Sequence, residues 1–399
     1  MNTFCVLPWI HLATHPDGHV TLCCVSNHEK LMSAAKNYNE DGTITILNLN
    51  NNSIYDIINS DYYRKVRKQF LNNKIPEACK RCFEEEKNNI SSKRISSQLE
   101  FKHFNLEQAK KLTSPTGYIR PNLKFLELRV GNKCNYKCRT CNPHSSSYWK
   151  DDWKKAETKF DYLPEFNNKD DDFNWPFNEN FWNELGNYYE DLEQIYINGG
   201  EPTLIREHWK YINKLINKGK TDIILHYNIN ASIINTYSIY YWKQFKKVDI
   251  VCSVDDIDKR NSYIRYGSNW KTINKNIDKL IKENINLNIC QTISFFNYYY
   301  LDEFYEWLKT KGLENKMYHN IVHYPEYLSP FALPLKTRKI IHEKFKKSKY
   351  YNRLKYLIPI FSKEDNVEKN KRCMEFTEYI DKLRNENFYK TFPELNKIL

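Results

Sequence analysis

The sequence lacks any apolar run long enough to cross a membrane as a helix, although 41% of its 399 residues are hydrophobic. Its N-terminus also lacks a basic segment followed by an apolar core, which is the pattern of a secretory signal peptide. Glycine is scarce, with only 10 residues. From the first two absences we expect a cytoplasmic protein that makes no contact with a membrane.

Cysteine and positive charge, by contrast, are plentiful. Eleven cysteines in a chain without a secretion signal favour metal ligation over disulfide bonds. The net charge of +12 could favour binding to nucleic acid, to an anionic peptide or to a membrane surface. A solvated, lysine-rich surface is the simplest explanation for it. A mass of 48.2 kDa leaves room for a barrel-sized domain and a smaller one.

Three cysteines stand in one short loop directly after a predicted strand, Leu123 to Val130. At the spacing C-x3-C-x2-C they are Cys134, Cys138 and Cys141. Three thiolates can hold three irons of a cubane and leave the fourth iron an open position, which can bind and polarise a small molecule. A zinc loop is the alternative, for which His144 is the only near fourth ligand.

A second strand, Gln194 to Asn198, ends in Gly199-Gly200-Glu201-Pro202, about sixty residues after the cysteines. Glycines let backbone carbonyls approach a ligand ammonium group closely. Glu201 can supply a charge-assisted hydrogen-bond partner to the same group. Alone such a tetrapeptide is an ordinary turn, but behind a strand and downstream of the cysteine triplet it is informative.

Together the two motifs resemble those of the radical S-adenosylmethionine (SAM) superfamily, in the order that family uses. The resemblance implies an α/β fold whose core is a partial (β/α)6 TIM-type barrel, with a SAM-binding [4Fe–4S] cluster. It implies reductive cleavage of SAM to a 5′-deoxyadenosyl radical, which abstracts hydrogen from a substrate; a peptide is the leading substrate class. A reductant such as flavodoxin or ferredoxin is the implied partner. Thr140 departs from the family, in which a large residue before the third cysteine packs near the adenine.

Four further cysteines surround a predicted hairpin near the N-terminus. They are Cys5, Cys23, Cys79 and Cys82. A turn at residues 16–19, Pro-Asp-Gly-His, would bring the first two to one end of the hairpin. The last two form a C-x2-C pair at the start of a predicted helix, which is a common half-site for a metal. The four could close a zinc site or hold a second cubane, and Cys24 could replace its neighbour as a ligand.

This arrangement resembles the SPASM/twitch auxiliary-cluster module, at the N-terminal position of the twitch domain-containing radical SAM proteins. The resemblance implies a second, auxiliary iron–sulfur cluster, which would return or accept an electron or position the substrate. It favours Cys23 over Cys24, because Cys23 keeps the family's spacing from Gly18. Residues 392–395, Phe-Pro-Glu-Leu, also resemble the C-terminal end of that subgroup.

Polar residues after later strands complete the predicted cofactor site. Ser253 and Asp255 point to the same side of the strand Val248 to Val254, where they could meet the hydroxyls of a ribose. Arg265 could form a bidentate pair with the SAM carboxylate, and Asn230 is the polar residue after the third strand. These roles are similar to those in peptide-modifying members of the family.

Strands that alternate with helices predict parallel pairing. The predicted strands are residues 123–130, 194–198, 223–228, 248–254, 285–294 and about 317–323. The predicted domains are an auxiliary module with a helical linker (1–115), a radical SAM core (121–330) and a helical C-terminal extension (331–399). Within the core we predict a helix over residues 145–155 and an inserted loop over 156–180.

A function of a different class is also open to this sequence. It is that of a non-catalytic zinc or iron–sulfur protein with a basic nucleic-acid-binding surface. The motif at residues 199–202 argues against it, because binding alone needs no SAM site. No catalytic residue that touches the substrate is assigned from the sequence.

Overall fold

The computed structural model describes residues 3–26, 33–166, 172–362 and 365–399. The strands are β1 His11–Thr14, β2 Val20–Thr21, β3 Lys36–Tyr38, β4 Ile44–Ile46, β5 Phe125–Arg129, β6 Gln194–Asn198, β7 Ile224–Ile229, β8 Lys247–Ser253, β9 Asn286–Ile293 and β10 Met317–Ile321. The helices are α1 Leu7–Ile10, α2 Ile54–Ile58, α3 Asp61–Leu71, α4 Lys80–Lys87, α5 Lys93–Glu100, α6 Leu106–Leu112, α7 Lys150–Glu157, α8 Glu179–Leu185, α9 Arg206–Asn217, α10 Thr236–Trp242, α11 Asp258–Ile264, α12 Trp270–Lys282, α13 Leu301–Thr310, α14 Leu335–Lys347, α15 Tyr351–Leu354, α16 Leu357–Ile360, α17 Val367–Arg384, α18 Phe388–Thr391 and α19 Pro393–Asn396.

One sheet contains eight of these strands, in the order β10-β9-β8-β7-β6-β5-β1-β2, and β3 pairs with β4 separately. The strands β5 to β10 follow one another in chain order, and the registers between β5, β6 and β7 and between β8, β9 and β10 are parallel. Sequential parallel strands joined by helices have the connectivity of a (β/α) barrel, whereas a doubly wound sheet reverses its strand order. The predicted α/β class with a six-stranded partial barrel core is confirmed.

The chain divides into two compact units. The first consists of Met1–Asn132, Asn167–Tyr227 and Tyr240–Val248, and the second consists of Lys133–Phe166, Asn228–Ile239 and Asp249–Leu399. The domain boundaries expected near residues 115 and 330 stay a prediction. No helix in the described part of the chain is long and apolar enough to span a membrane.

In the first unit, β1 and β2 form the predicted antiparallel hairpin, with Ala13 opposite Thr21. β1 also pairs in parallel with β5, so that His11 lies opposite Phe125. This long-range pairing joins the N-terminal hairpin to the main sheet, and no local pattern in the sequence predicted it. The helix α9 packs through an amphipathic face that includes the buried His208, because residues three and four apart share one side of a helix.

In the second unit, the helix predicted over residues 145–155 begins later than expected, at Lys150. The preceding serines are used for turn and loop contacts, because the Ser146 N–H donates to the Asn142 carbonyl at 3.0 Å and the Ser146 hydroxyl donates to the Tyr136 carbonyl. The predicted loop over residues 156–180 is divided between the two units: its residues 167–171 lie outside the described residues, and its part in the first unit includes a short 3₁₀ turn, Trp175–Phe177. The C-terminal extension is helical, as predicted.

Candidate functional site

The cysteine loop, residues 134–141, follows β5 in the chain and presents three half-buried thiols. A tight turn closes its second half, because the Cys141 N–H donates to the Cys138 carbonyl at 3.0 Å. The Trp149 indole N–H donates to the same carbonyl at 2.8 Å. The Tyr136 N–H lies 3.4 Å from the Cys134 sulfur and donates to it. The backbone around the thiols is therefore held by specific hydrogen bonds.

The three thiols of this loop lie close enough to interact electrostatically. Burial raises the pKa of the Cys141 thiol, and the neighbouring Cys138 and Cys134 raise it further. Burial also raises the pKa of Cys138, and the Arg265 guanidinium partly offsets that effect. A cation that binds these sulfurs must displace their protons, so binding is expected to release protons and to strengthen as the pH rises.

Arg265 and Asp255, which were predicted to hold different parts of the cofactor, are hydrogen-bonded to each other. The Arg265 Nη1 donates to the Asp255 Oδ2 at 2.9 Å; the Asp255 carboxylate is buried and the Arg265 side chain is 12% exposed. The other oxygen of Asp255 accepts the Thr292 N–H at 3.0 Å. The Arg265 Nε is buried and has no hydrogen-bond partner. The Arg265 Nε–H can therefore donate to a further acceptor. The Asp255 carboxylate balances the charge of the guanidinium.

The predicted site residues Asn230 and Ser253 also lie in the second unit. The buried Asn230 side chain donates to the Asn135 Oδ1 at 2.8 Å, and its oxygen accepts the Ser232 N–H at 2.9 Å. Asn230 is thus joined to the cysteine loop through Asn135. Ser253 is the last residue of β8 and is half-buried.

A cavity of about 240 Å³ lies beside Thr140 and Cys141 in the second unit. Its wall includes the aromatic side chains of Trp153, Tyr162, Tyr324, Tyr327 and Phe376. Lys369 and Arg372 also line it. The small side chain of Thr140 thus borders a space whose aromatic contacts come from other parts of the unit.

In the first unit, Gly199 is required by both its backbone and its surroundings. Its φ of +140° lies in a region that L side chains rarely adopt, and a Cβ would lie 2.9 Å from the Gly131 carbonyl oxygen and 2.9 Å from the Val130 nitrogen. The Gly200 N–H donates to the same Gly131 carbonyl at 3.0 Å. The beginning of the glycine motif is therefore packed directly against the end of β5.

The remaining residues of this motif form a buried turn. Glu201 is 1% exposed and accepts the Thr203 N–H at 3.1 Å and the Thr203 hydroxyl at 2.6 Å. Pro202 begins the 3₁₀ turn that ends at Leu204. These bonds orient the Glu201 carboxylate, whose predicted role toward an ammonium group stays a prediction.

The four N-terminal cysteines also lie near one another in the first unit. Burial raises the pKa of Cys5 to about 12, with further contributions from Cys23 and Cys82. Burial raises the pKa of Cys79 well above its usual value, and Cys5, Cys23 and Cys82 add to the effect. Cys79 is the N-cap residue of α4 and Cys82 lies in its first turn, as predicted for a C-x2-C pair at a helix start.

Cys23 and Cys24 differ in their surroundings. Cys23 contributes to the raised pKa of both Cys5 and Cys79, and burial raises its own pKa to about 11. Cys24 is exposed, and its thiol is hydrogen-bonded to the Glu127 carboxylate. The two adjacent thiols therefore belong to different environments.

The thiols of both sets can be compared with the ligand sets of a single metal ion and of a cluster. Two thiolates on one tetrahedral zinc, at Zn–S bonds of about 2.3 Å, stand about 3.8 Å apart. Across residues 3–26, 33–166, 172–362 and 365–399, no three His, Cys, Asp or Glu side chains form a group that could hold one metal ion. In a cubane each thiolate binds a different iron, so the thiolate sulfurs stand farther apart than they do around a single ion. Sets of three and four thiols that interact electrostatically supply the donor atoms that iron–sulfur clusters use.

Several residues around the cysteine loop were not predicted from the sequence. Arg139 is fully buried and pairs with Asp381 and Glu386, and Tyr263 donates to the same Asp381 at 2.7 Å. The only local signal was a cation on each side of Cys138. The partners of Arg139, Asp381 and Glu386, lie more than two hundred residues away in the chain, where no spacing rule applies.

Comparison with known proteins finds similarity to one family over part of the chain. Residues 5–83 match the SPASM family, described as an iron–sulfur cluster-binding domain. No curated protein matches the chain. The match places the four N-terminal cysteines within a region similar to an iron–sulfur module.

Solved structures resemble the fold more distantly. Native anSMEcpe with bound AdoMet is 17% identical, covering 56% of this chain and 59% of that one, at a TM-score of 0.39. Native anSMEcpe with bound AdoMet and the Cp18Cys peptide is 16% identical, covering 60% of this chain and 62% of that one, at a TM-score of 0.40. Streptococcus suis SuiB bound to S-adenosylmethionine is 14% identical, covering 77% and 67%, at a TM-score of 0.36. The chain thus matches about three fifths of the anSMEcpe structures, and the likeness is one of general fold alone.

Proposed function

We propose that this chain is a radical SAM enzyme, which cleaves S-adenosylmethionine reductively and removes a hydrogen atom from a substrate. The observation that carries the proposal is the position of two motifs after two paired strands. The cysteine loop follows β5, the motif Gly199-Gly200-Glu201-Pro202 follows β6, and these strands pair in parallel. Ligands collect at the carboxyl ends of parallel strands. Both motifs therefore begin at the edge where a cofactor is expected.

Cys134, Cys138 and Cys141 would hold a [4Fe–4S] cluster with one iron open to SAM. When bound, the reduced cluster and SAM supply the chemistry, which yields methionine and the 5′-deoxyadenosyl radical that abstracts hydrogen. The chain binds and orients these groups. The hydrogen bonds that the Cys138 carbonyl accepts from Cys141 and Trp149 keep the loop in one conformation, which reduces the reorganisation required when a cluster binds.

SAM would be held by residues that present complementary charges. The carbonyls of Gly199 and Gly200 and the carboxylate of Glu201 suit its ammonium group. Arg265, held by Asp255, suits its carboxylate, because the guanidinium keeps a buried Nε–H donor without a partner.

The rest of the SAM molecule would meet polar and aromatic groups. Ser253, Asp255 and Asn230 suit the ribose hydroxyls. The cavity beside Thr140 suits the adenine, because aromatic side chains that include Tyr162 and Tyr327 line it. The family's large residue at this position is thereby replaced by aromatic rings from other elements.

The N-terminal module would hold a second, auxiliary cluster through Cys5, Cys23, Cys79 and Cys82. The match of residues 5–83 to the SPASM family and the mutual electrostatic effects of these thiols support this assignment. Cys23 is the fourth ligand and Cys24 is not, because Cys24 is exposed and bonded to Glu127. A peptide is the substrate class that the family resemblance implies, and a flavodoxin or ferredoxin would supply the electron.

Anaerobic reconstitution followed by a 5′-deoxyadenosine assay tests the proposal. The reduced protein with SAM should form 5′-deoxyadenosine, and Cys138→Ala should abolish it. Cys252→Ala is the matched control, because Cys252 is buried in β8 and belongs to neither thiol set. Zinc in place of iron after reconstitution would favour the non-catalytic alternative. Full activity in Cys138→Ala would mean that the assignment of the cluster site is wrong.

A further inference from the structure

Both residues that flank Cys138 are cations. Arg139 pairs directly with a side chain at the end of α17, whereas Lys137 pairs with Asp152 of α7, which is in turn paired with Arg384 of α17. The Lys137 Nζ lies 2.9 Å from the Asp152 Oδ1, and the Arg384 Nε donates to the other oxygen of Asp152 at 2.8 Å. On the other side, Arg139 donates to Asp381. Ion pairs therefore connect the cysteine loop, on either side of Cys138, to one short stretch of the C-terminal extension.

Arg139 makes several of the contacts that connect the loop to the C-terminal extension, and it is 1% exposed. Its Nη2 donates to Asp381 and, at 2.8 Å, to Glu386. Its backbone N–H donates to the Ile264 carbonyl at 2.7 Å, and its guanidinium lies 3.7 Å from the centre of the Tyr263 ring. A buried cation is costly unless it is paired, so these contacts leave the loop little freedom at this position.

Asp381 joins three separate parts of the second unit. It accepts hydrogen bonds from Arg139, from the Tyr263 hydroxyl at 2.7 Å and from the Phe388 N–H at 2.6 Å. Tyr263 lies two residues before Arg265, the predicted SAM ligand. Asp381 is therefore bonded both to the cysteine loop and to α11, the helix that ends at Ile264, directly before Arg265.

The second connection combines charge with aromatic packing. The Arg384 guanidinium lies 4.2 Å from the centre of the Trp149 ring and 4.7 Å from that of Tyr266. Trp149 in turn donates to the Cys138 carbonyl at 2.8 Å. The Tyr266 carbonyl accepts the Lys137 N–H at 3.0 Å. Arg384 thus packs against Trp149 and Tyr266. These two residues form hydrogen bonds with the loop backbone, at Cys138 and Lys137 respectively.

We propose that the segment 381–386 positions the cysteine loop, and that Asp381, Glu386 and Arg384 are positioning residues which set the conformation of Cys138. None of them is a ligand, and each acts through Lys137, Arg139 or Trp149. The C-terminal extension would then be part of the cluster site, although it contributes no ligand. The inference rests on the proposed function only for the identity of the group that the loop holds.

Thiol labelling of the metal-free, full-length protein tests the proposal without any cluster. The alkylation rate of each cysteine is followed by mass spectrometry in the wild type, in Asp381→Asn and in the milder Glu386→Gln. Loss of a charge-assisted hydrogen bond should raise the labelling rate of Cys138 about tenfold or more in Asp381→Asn, with a smaller rise in Glu386→Gln. Cys252, buried in β8 of the same unit, is the internal reference and should keep its rate.

The matched control is Glu378→Gln, because Glu378 lies on the same helix but bonds to Tyr389 at the surface. It should leave all labelling rates unchanged. Equal rates at Cys138 in the wild type and Asp381→Asn, or an equal rise at Cys252, would overturn the proposal. If Asp381→Asn does not fold, the proposal is tested with Glu386→Gln and a double-mutant cycle of Glu386→Gln with Arg139→Gln. If the two residues act through each other, their effects on the labelling rate of Cys138 should be less than additive.

A second readout uses the reconstituted protein. Removal of the Asp381 carboxylate leaves the Arg139 charge less balanced beside Cys138, so the midpoint potential of the bound cluster should become more positive. Glu378→Gln should not shift it. An unchanged potential in Asp381→Asn would contradict the positioning role. Altered labelling together with no 5′-deoxyadenosine in the wild type would refute the proposed function and leave the positioning of the loop intact.

Discussion

The ion pair of the buried Asp255 with the largely buried Arg265 allows the most quantitative prediction, through the substitution Asp255→Asn. Asp255 is 0% exposed, and its two oxygens accept hydrogen bonds from Arg265 at 2.9 Å and from the Thr292 N–H at 3.0 Å. An asparagine has one acceptor oxygen, so its NH2 group must face one of these two donors. Whichever way the amide turns, one hydrogen bond becomes a donor–donor contact and the buried guanidinium loses its counter-charge.

Breaking a buried ion pair from one side costs about 3–5 kcal/mol. For a domain of roughly 150–250 residues, each kcal/mol lowers the unfolding midpoint by about 2–4 °C. We therefore expect a fall of about 10 °C in the thermal unfolding midpoint of the metal-free protein, followed by circular dichroism and tryptophan fluorescence. The control Asp278→Asn removes an exposed partner of Lys311, and such surface pairs are worth about 0–1 kcal/mol.

The comparison between these two variants can refute the reasoning. Equal shifts for Asp255→Asn and Asp278→Asn would mean that burial of the Asp255 pair has no energetic consequence. The double variant Asp255→Asn/Arg265→Met removes the unpaired charge as well, so it should recover part of the lost stability. A double variant that is less stable than Asp255→Asn would contradict the assignment of the loss to an uncompensated cation.

Three further predictions follow from other sites. Replacing Cys79 and Cys82 by alanine should lower bound iron toward one cluster and leave some 5′-deoxyadenosine formation, and an unchanged iron content would exclude the auxiliary site. Gly199→Ala should reduce SAM affinity in calorimetric titration, because the Cβ would lie 2.9 Å from backbone atoms, whereas Gly219→Ala, with nothing within 4 Å, should not. Burial lowers the pKa of His208 from 6.5 to about 3, so the unfolded chain takes up a proton that the folded chain does not. Stability should fall by up to about 1.4 kcal/mol per pH unit below pH 6.5, and His208→Phe should flatten this dependence in pH-dependent denaturation.

The fold class could be predicted from the sequence because its signals are local. Each strand of the barrel core is a short apolar run whose pattern depends on neighbours in the chain, as in β6 with its alternately buried Ile195 and Ile197. The sequential order of the strands then restricts the topology. The pairing of β1 with β5 was not predicted, because it joins residues about 110 positions apart and leaves no mark on local periodicity.

The candidate site was predictable to the extent that its residues lie in motifs. The cysteines and the glycine motif have fixed spacings, and the close approach of Gly199 to Gly131 explains why that position needs a glycine. The mutual bond of Asp255 and Arg265 was missed, because sequence patterns assign residue types to a ligand and do not reveal which side chains pair. The contact of Arg139 with Asp381 was missed for the same reason.

The most direct test of the central claim is the electron paramagnetic resonance spectrum of the reduced protein before and after addition of SAM. The measurement is made in the variant that lacks both Cys79 and Cys82, so that the signal comes from the cysteine loop alone. If Cys134, Cys138 and Cys141 hold a cluster with one open iron, SAM should bind to that iron and change the spectrum. A cluster signal that stays the same with saturating SAM, or no cluster signal at all, would contradict the account.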